Sequence, residues 1–148
     1  MVSKHFKIHE LVPKKLYEKY GEKAWRYVDV RLIETIDRLK EKFSDGSMTI
    51  NNYYWKGDRQ WSGIRTGDSK YYSVGSQHSY GNAFDIVWSK YSSKEVRDYV
   101  LSNLELFPYV KGLEVASWLH IDVRNEDSIV IFDAKNNVYT VEEALQLK

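Results

Sequence analysis

The run DVRLIETIDRLKEKF, Asp29 to Phe43, constrains the fold more than any other segment. It sets Leu32, Ile33, Ile36, Leu39 and Phe43 on one stripe at three- and four-residue intervals, the period of a helix with one buried face. Asp29 is a suitable N-cap, because a short carboxylate can accept from the free amides of the first turn. Glu34, Asp37, Arg38 and Glu41 are expected on the solvent side. Such a stripe has to be covered by a second layer. NAFDIVW reads as a strand with Phe84, Ile86 and Trp88 on one face and Ala83, Asp85 and Val87 on the other. WLHIDVR alternates in the same way, Leu119, Ile121 and Val123 against His120, Asp122 and Arg124.

The remaining segments fill in around these. LVPKKLYEKYG predicts a helix from Pro13, stopped at Gly21. MTINNYYW, Met48 to Trp55, reads as a strand. Residues 56–76 are rich in Gly, Ser, Asp and Tyr without a period, and unstructured segments of that length tend to carry function. SSKEVRDYVLSNLELF predicts a helix capped by Ser92 or Ser93, with Val96, Tyr99, Val100 and Leu104 buried. GLEVASWLHIDVR and SIVIFD supply further strands, and TVEEALQLK a closing helix capped by Thr140. Helices and strands alternate irregularly, which predicts an α+β fold: N-terminal helices packed on a mainly antiparallel sheet. A chain of 148 residues suits one domain, 1–148.

Composition narrows the chemistry. There is no cysteine, which excludes disulfides, thiolate catalysis and Cys-ligated zinc. A transition metal here needs His and carboxylate ligands. The net charge is +1 with Lys and Arg scattered among Asp and Glu, so no nucleic-acid partner is expected. No apolar run approaches the roughly 20 residues that span a bilayer, and MVSKHFKIHELVPKK lacks the apolar centre of a secretory signal.

SQHSYGNAFD, Ser76 to Asp85, places a histidine, a glycine and an aspartate at short spacing in a chain with four histidines. Gly81 can take the positive φ of a sharp turn. Asp85 sits in so apolar a strand that it must be paired or bound to a cation. His120 emerges from a later strand on the polar face. Two histidines and an aspartate on adjacent strands leave a fourth position open, as catalytic zinc requires. His5 and His9 are weaker candidates, with no other ligand signal around them.

SQHSYGNAFD also fits the SxHxxGxAxD signature of the zinc D-Ala-D-Ala carboxypeptidase family, whose members include phage endolysin peptidases and the hedgehog signalling domain. Ser76, His78, Gly81, Ala83 and Asp85 match it. LEVASWLHID resembles the family's late histidine strand, and SGIRT its arginine-bearing segment. The opening FKIHELVP looks especially like phage-encoded members. The resemblance implies a hedgehog-type fold and one Zn²⁺ held by His78, Asp85 and His120. It further implies hydrolysis of a peptide bond in bacterial peptidoglycan, with an acidic residue taking the proton from water. Arg65 would steady the substrate carbonyl or carboxylate, and Ser76 would either bond substrate or shape the turn. Trp118 would wall the pocket or join the core. NYYWKGDRQW, Asn52 to Trp61, would line a groove for peptide or glycan, or fill the core. A wall enzyme without a secretion signal is expected as a phage product, in the host cytoplasm or on the virion.

The general base departs from the pattern. Many members keep an acid three residues before the last histidine, where this chain has Ser117. Glu114 lies six before His120, about 20 Å in extended chain, so it can serve only if VASW folds back. Asp122 is the rival, one strand repeat from His120, and it could instead orient that histidine or pair with Arg124. An alternative to catalysis is a zinc-stabilised structural or wall-binding module.

Overall fold

Strict alternation along three short strands sets the architecture. In the computed structural model, which describes residues 2–148, the strands are β1 (Met48–Thr49), β2 (Ala83–Trp88), β3 (Gly112–Val115), β4 (Leu119–Asp122), β5 (Val130–Asp133) and β6 (Val138–Tyr139). They form one mixed sheet in the order β1-β2-β4-β3-β5-β6. Only the β3–β5 pairing is parallel; the pairs β1–β2, β2–β4, β3–β4 and β5–β6 are antiparallel. The described helices are α1 (Lys14–Tyr20), α2 (Val30–Lys42), α3 (Ser93–Ser102) and α4 (Val141–Gln146). The chain is thus mixed α and β.

Register makes the two faces of the sheet chemically opposite. Phe84 pairs with Ile121, Ile121 with Leu113 and Leu113 with Ile131, a continuous apolar row. All four are at most 1% exposed. The α2 stripe, Leu32, Ile33, Ile36 and Leu39, belongs to the same buried cluster, as do Val96 and Val100 of α3. The neighbouring row runs from Asp85 to His120 to Glu114 to Phe132 on the opposite face. Side chains alternate along a strand, so burying the first row necessarily lifts the second to the other side.

Local chemistry explains the element ends. Asp29 caps α2 by accepting from the Arg31 amide. Ser92 and Thr140 each form a reciprocal box with a glutamate three residues on, Glu95 and Glu143.

Three expectations are corrected. The strand over Met48–Trp55 ends at Thr49, and Tyr53–Trp55 forms a 3-10 turn. Asn51 and Asn52 divert the chain: the Asn51 amide donates to the Val12 carbonyl at 3.2 Å, and the Asn52 side-chain oxygen accepts from the Arg59 amide at 2.9 Å. Asp37 is buried, not solvent-facing, because the N-terminal segment covers it; it accepts from the Ser3 hydroxyl and from the Lys4 amide at 2.8 Å. The helix over 92–107 stops at Ser102, and Leu104–Leu106 continues as a 3-10 turn. There the Asn103 side chain takes the Tyr99 carbonyl at 2.8 Å and competes with further helix. No described helix is long and apolar enough to cross a membrane.

Candidate metal centre

His78 and Asp85 are brought together by a turn, and His120 by strand pairing. Ser76 caps the 3-10 turn Gln77–Tyr80, its hydroxyl accepting from the His78 amide at 3.3 Å. Gly81 ends that turn at φ +72°, and a Cβ there would lie 1.9 Å from the Tyr27 carbonyl oxygen. The Gly81 carbonyl in turn accepts from the Asp29 amide at 3.1 Å, tying the turn to the start of α2. β2 begins at Ala83, and Asp85 stands directly beside His120 in the ladder.

One ligand atom from each of His78, Asp85 and His120 lies within 4.8 Å of the others, and this group can hold a metal ion. Asp85 Oδ1 is 3.3 Å from His78 Nε2 and 2.9 Å from His120 Nδ1. Tetrahedral zinc with bonds of about 2.0–2.2 Å spaces its ligand atoms by roughly 3.4 Å, close to both distances from Asp85 Oδ1.

The outer partners fix which nitrogens face inward. His78 Nδ1 is 2.8 Å from the Gly63 carbonyl, which can only accept, so Nδ1 carries the proton and Nε2 presents a lone pair. His120 Nε2 is 3.0 Å from Asp122 Oδ2, which leaves Nδ1 for the centre. Two acceptor nitrogens then face one carboxylate oxygen, an arrangement that needs a proton or a cation between them. The buried N₂O donor set fits a borderline-soft divalent ion.

The charges agree. Burial pushes the Asp85 carboxyl up, but hydrogen bonding to His120 and the close approach of His78 outweigh it and hold the group well below the ordinary carboxylate range. Burial lowers His120, yet its bonds to Asp122 and Asp85 prevail and raise it to about 9. Asp122, against its burial, is held at about 2 by Arg124 and His120. Without a metal, a proton on His120 takes the place of the cation.

The hairpin resolves the distance problem at Glu114. β3 and β4 are joined by a tight reversal at residues 116–118, pairing Glu114 directly with His120. Opposed Cβ atoms are about 4.5–5.5 Å apart, in place of the 20 Å of extended chain. Glu114 is half-buried and lines a cleft of about 860 Å³ that also takes in His78, Asp85 and His120. Asp122, in the adjacent row of the same face, is fully buried and does not line the cleft. It accepts from Arg124 Nε at 2.8 Å and Nη2 at 2.6 Å as well as meeting His120. Gly112 makes room for it, since a Cβ there would lie 2.2 Å from either carboxylate oxygen.

The other site residues fall as follows. Arg65 lines the cleft, donating from Nη2 to Asp85 Oδ2 at 2.9 Å and from Nε to the Trp61 carbonyl at 2.8 Å. Trp118, in the hairpin turn and 39% exposed, walls the cleft and is not core. Ser76 and Trp61 line it too, whereas Tyr53, Tyr54 and Trp55 do not. His5 lies apart, 3.2 Å from Glu41. His9 also lies apart, stacked on Tyr54 with centroids 3.9 Å apart. Sequence reasoning missed the Gly63 carbonyl and Phe132. No residue type marks either one; only the fold of the 61–65 loop and the β3–β5 register bring them in. No family model, curated protein or solved structure matches this chain.

Proposed function

We propose that this protein is a zinc-dependent peptidase that hydrolyses a peptide bond in the stem or cross-bridge peptides of bacterial peptidoglycan. The observation that carries the reading is Glu114 standing directly across the β3–β4 hairpin from His120, at the edge of the His78–Asp85–His120 group. The substrate class and a hedgehog-like fold rest on the SxHxxGxAxD resemblance, as does a phage origin, supported by FKIHELVP.

His78 Nε2, Asp85 Oδ1 and His120 Nδ1 would hold the ion. When bound, the ion supplies a Lewis acid that lowers the pKa of water and polarises the scissile carbonyl. Glu114 takes the proton from the attacking water and returns it to the leaving amine. Arg65, fixed by the Trp61 carbonyl, presents a guanidinium to the carbonyl oxygen as charge develops on it. Asp122 acts through His120, fixing its tautomer and ring orientation, with Arg124 holding Asp122 in turn. Trp118 and Trp61 provide apolar walls against which a peptide can lie.

Two measurements test this. Metal analysis of the purified chain should find about one zinc per molecule, lost in His78→Ala and His120→Ala. Mass spectrometry of peptidoglycan after incubation should show new free amino termini in the peptide fraction. Zinc without released fragments would replace the peptidase by the wall-binding module; absence of zinc would end both readings.

A further inference from the structure

A second cleft, of about 540 Å³, opens on the far side of the Arg65 loop. Tyr20, Tyr27, Tyr72 and Tyr80 line it together with Arg26 and Arg65, and no acidic residue contributes. Arg65 lines both clefts, so the two meet at that residue. Apart from Arg65, no residue of this surface has a part in the catalytic reading.

The tyrosine rings are open to a ligand. Tyr80 is 59% exposed, Tyr72 42% and Tyr27 36%. Such rings could simply have packed together, and Tyr20 and Tyr27 do so in part, with centroids 5.3 Å apart. The Arg26 guanidinium lies over both, 5.7 and 5.6 Å from their centroids, which holds that wall in place. Tyr80 is fixed by its hydroxyl, which donates to the Val74 carbonyl at 2.8 Å. Tyr20, Tyr27 and Tyr80 are thus anchored around a concavity and not left as loose loop tips.

The lining selects among occupants. None of the six strands contributes to it, so there is no free strand edge to pair with an extended peptide backbone. Its two aliphatic lining residues, Leu16 and Ile64, are half-buried and buried, so the exposed walls are aromatic, which disfavours an amphipathic helix. Phenol rings combine an apolar face with a polar tip. That is the complement of a pyranose, which has an apolar C–H face and a rim of hydroxyls. Arg26, Thr66 and Ser79 also line it, the Thr66 and Ser79 hydroxyls donating to Asp68 and to the Ser73 carbonyl, which leaves their oxygens to accept.

We infer that this tyrosine cleft is a saccharide subsite, which seats the glycan strand of the polymer whose peptide enters the metal cleft across Arg65. The inference rests on the peptidoglycan reading for the identity of the glycan. Binding of a saccharide at the cleft can be measured whether or not the chain cuts peptides.

The test is a titration of the full ¹⁵N-labelled chain with the β-1,4-linked tetramer of N-acetylglucosamine, followed by amide shifts. Shifts should concentrate around Tyr20, Tyr27, Thr66, Tyr72 and Ser79. Affinity should fall about tenfold in Tyr27→Ala/Tyr72→Ala and be largely kept in Tyr27→Phe/Tyr72→Phe, since the ring faces carry the contact. The alanine pair should also lower kcat/KM on intact peptidoglycan by a similar factor while hydrolysis of glycan-free stem peptide is unchanged. No shifts, or shifts gathered around Trp61 and Trp118, overturn the subsite. Tetramer binding at the tyrosines with no hydrolysis of either substrate would overturn the peptidase reading and leave the subsite standing. Both double variants should retain the wild-type thermal midpoint; a drop confined to the alanine pair is resolved by Tyr72→Ala alone, whose loss of binding must then persist.

Discussion

The two carboxylates nearest His120 differ in what already occupies them. Asp122 is buried, clamped by Arg124 and bonded to His120 Nε2, so its lone pairs are spent. Glu114 makes no side-chain contact of that kind and faces the cleft. Glu114→Gln should therefore reduce kcat by about 10²- to 10⁴-fold with zinc content unchanged. Asp122→Asn should weaken zinc binding by about 10- to 100-fold, read by competition with a chelating dye. Full activity in Glu114→Gln beside a dead, zinc-loaded Asp122→Asn would reverse the assignment. His120 adds a pH dependence. Its folded pKa is raised to about 9, so below that pH zinc must displace a proton. Apparent zinc affinity should rise by about tenfold per pH unit from pH 7 and level off above 9. A flat profile from pH 7 to 9 would show that no such proton is held. In the metal-free chain the raised His120 stabilises the fold below about pH 6.5, an effect lost as pH rises through 9. The lowered Asp85 stabilises it above about pH 4, an effect lost towards acid. Metal-free stability should thus peak between those limits.

At the scale of elements, the site hangs on one turn and one hairpin. The turn at Gln77–Tyr80 closes only because Gly81 takes φ +72° against the Tyr27 carbonyl. Gly81→Ala meets both a disfavoured backbone region and a steric overlap. It should cost roughly 2 kcal/mol or more in urea unfolding, with zinc stoichiometry falling as His78 and Asp85 lose register. Wild-type stability in this variant would mean that the turn is not the element that aligns them. The hairpin was only half legible. Period-two alternation shows in WLHIDVR, but where GLEVASWLHIDVR reverses is a matter of turn geometry, and the segment carries no Asn-Gly or Asp-Gly to mark it. Residues 48–55 failed for a related reason: two asparagine side chains compete with the ladder, and their partners, Val12, Arg59 and Ser62, are supplied by other segments.

Across the whole molecule, one buried apolar row carries the sheet and, on its reverse, the site. Ile121 lies at the centre of that row, fully buried between Phe84 and Leu113. Ile121→Ala should lower the unfolding free energy by about 3 kcal/mol, seen as a fall in the urea midpoint with the slope unchanged. Because His120 is its neighbour in β4, zinc affinity should drop with it. A midpoint within experimental error of wild type would mean that this row is not the core.

Local pattern was enough for the helix of the α2 stripe, the facing of β2 and β4, and the closeness of His78 to Asp85. Each of these is written in local periodicity or in short spacing, which chain geometry enforces without reference to distant residues. Tertiary structure alone decided that Glu114 lies opposite His120, that Asp122 is buried and spoken for, and that the Gly63 carbonyl orients His78. Those facts depend on strand register and on close approaches between segments far apart in the chain, and pairing energy between strands is not encoded in either strand alone.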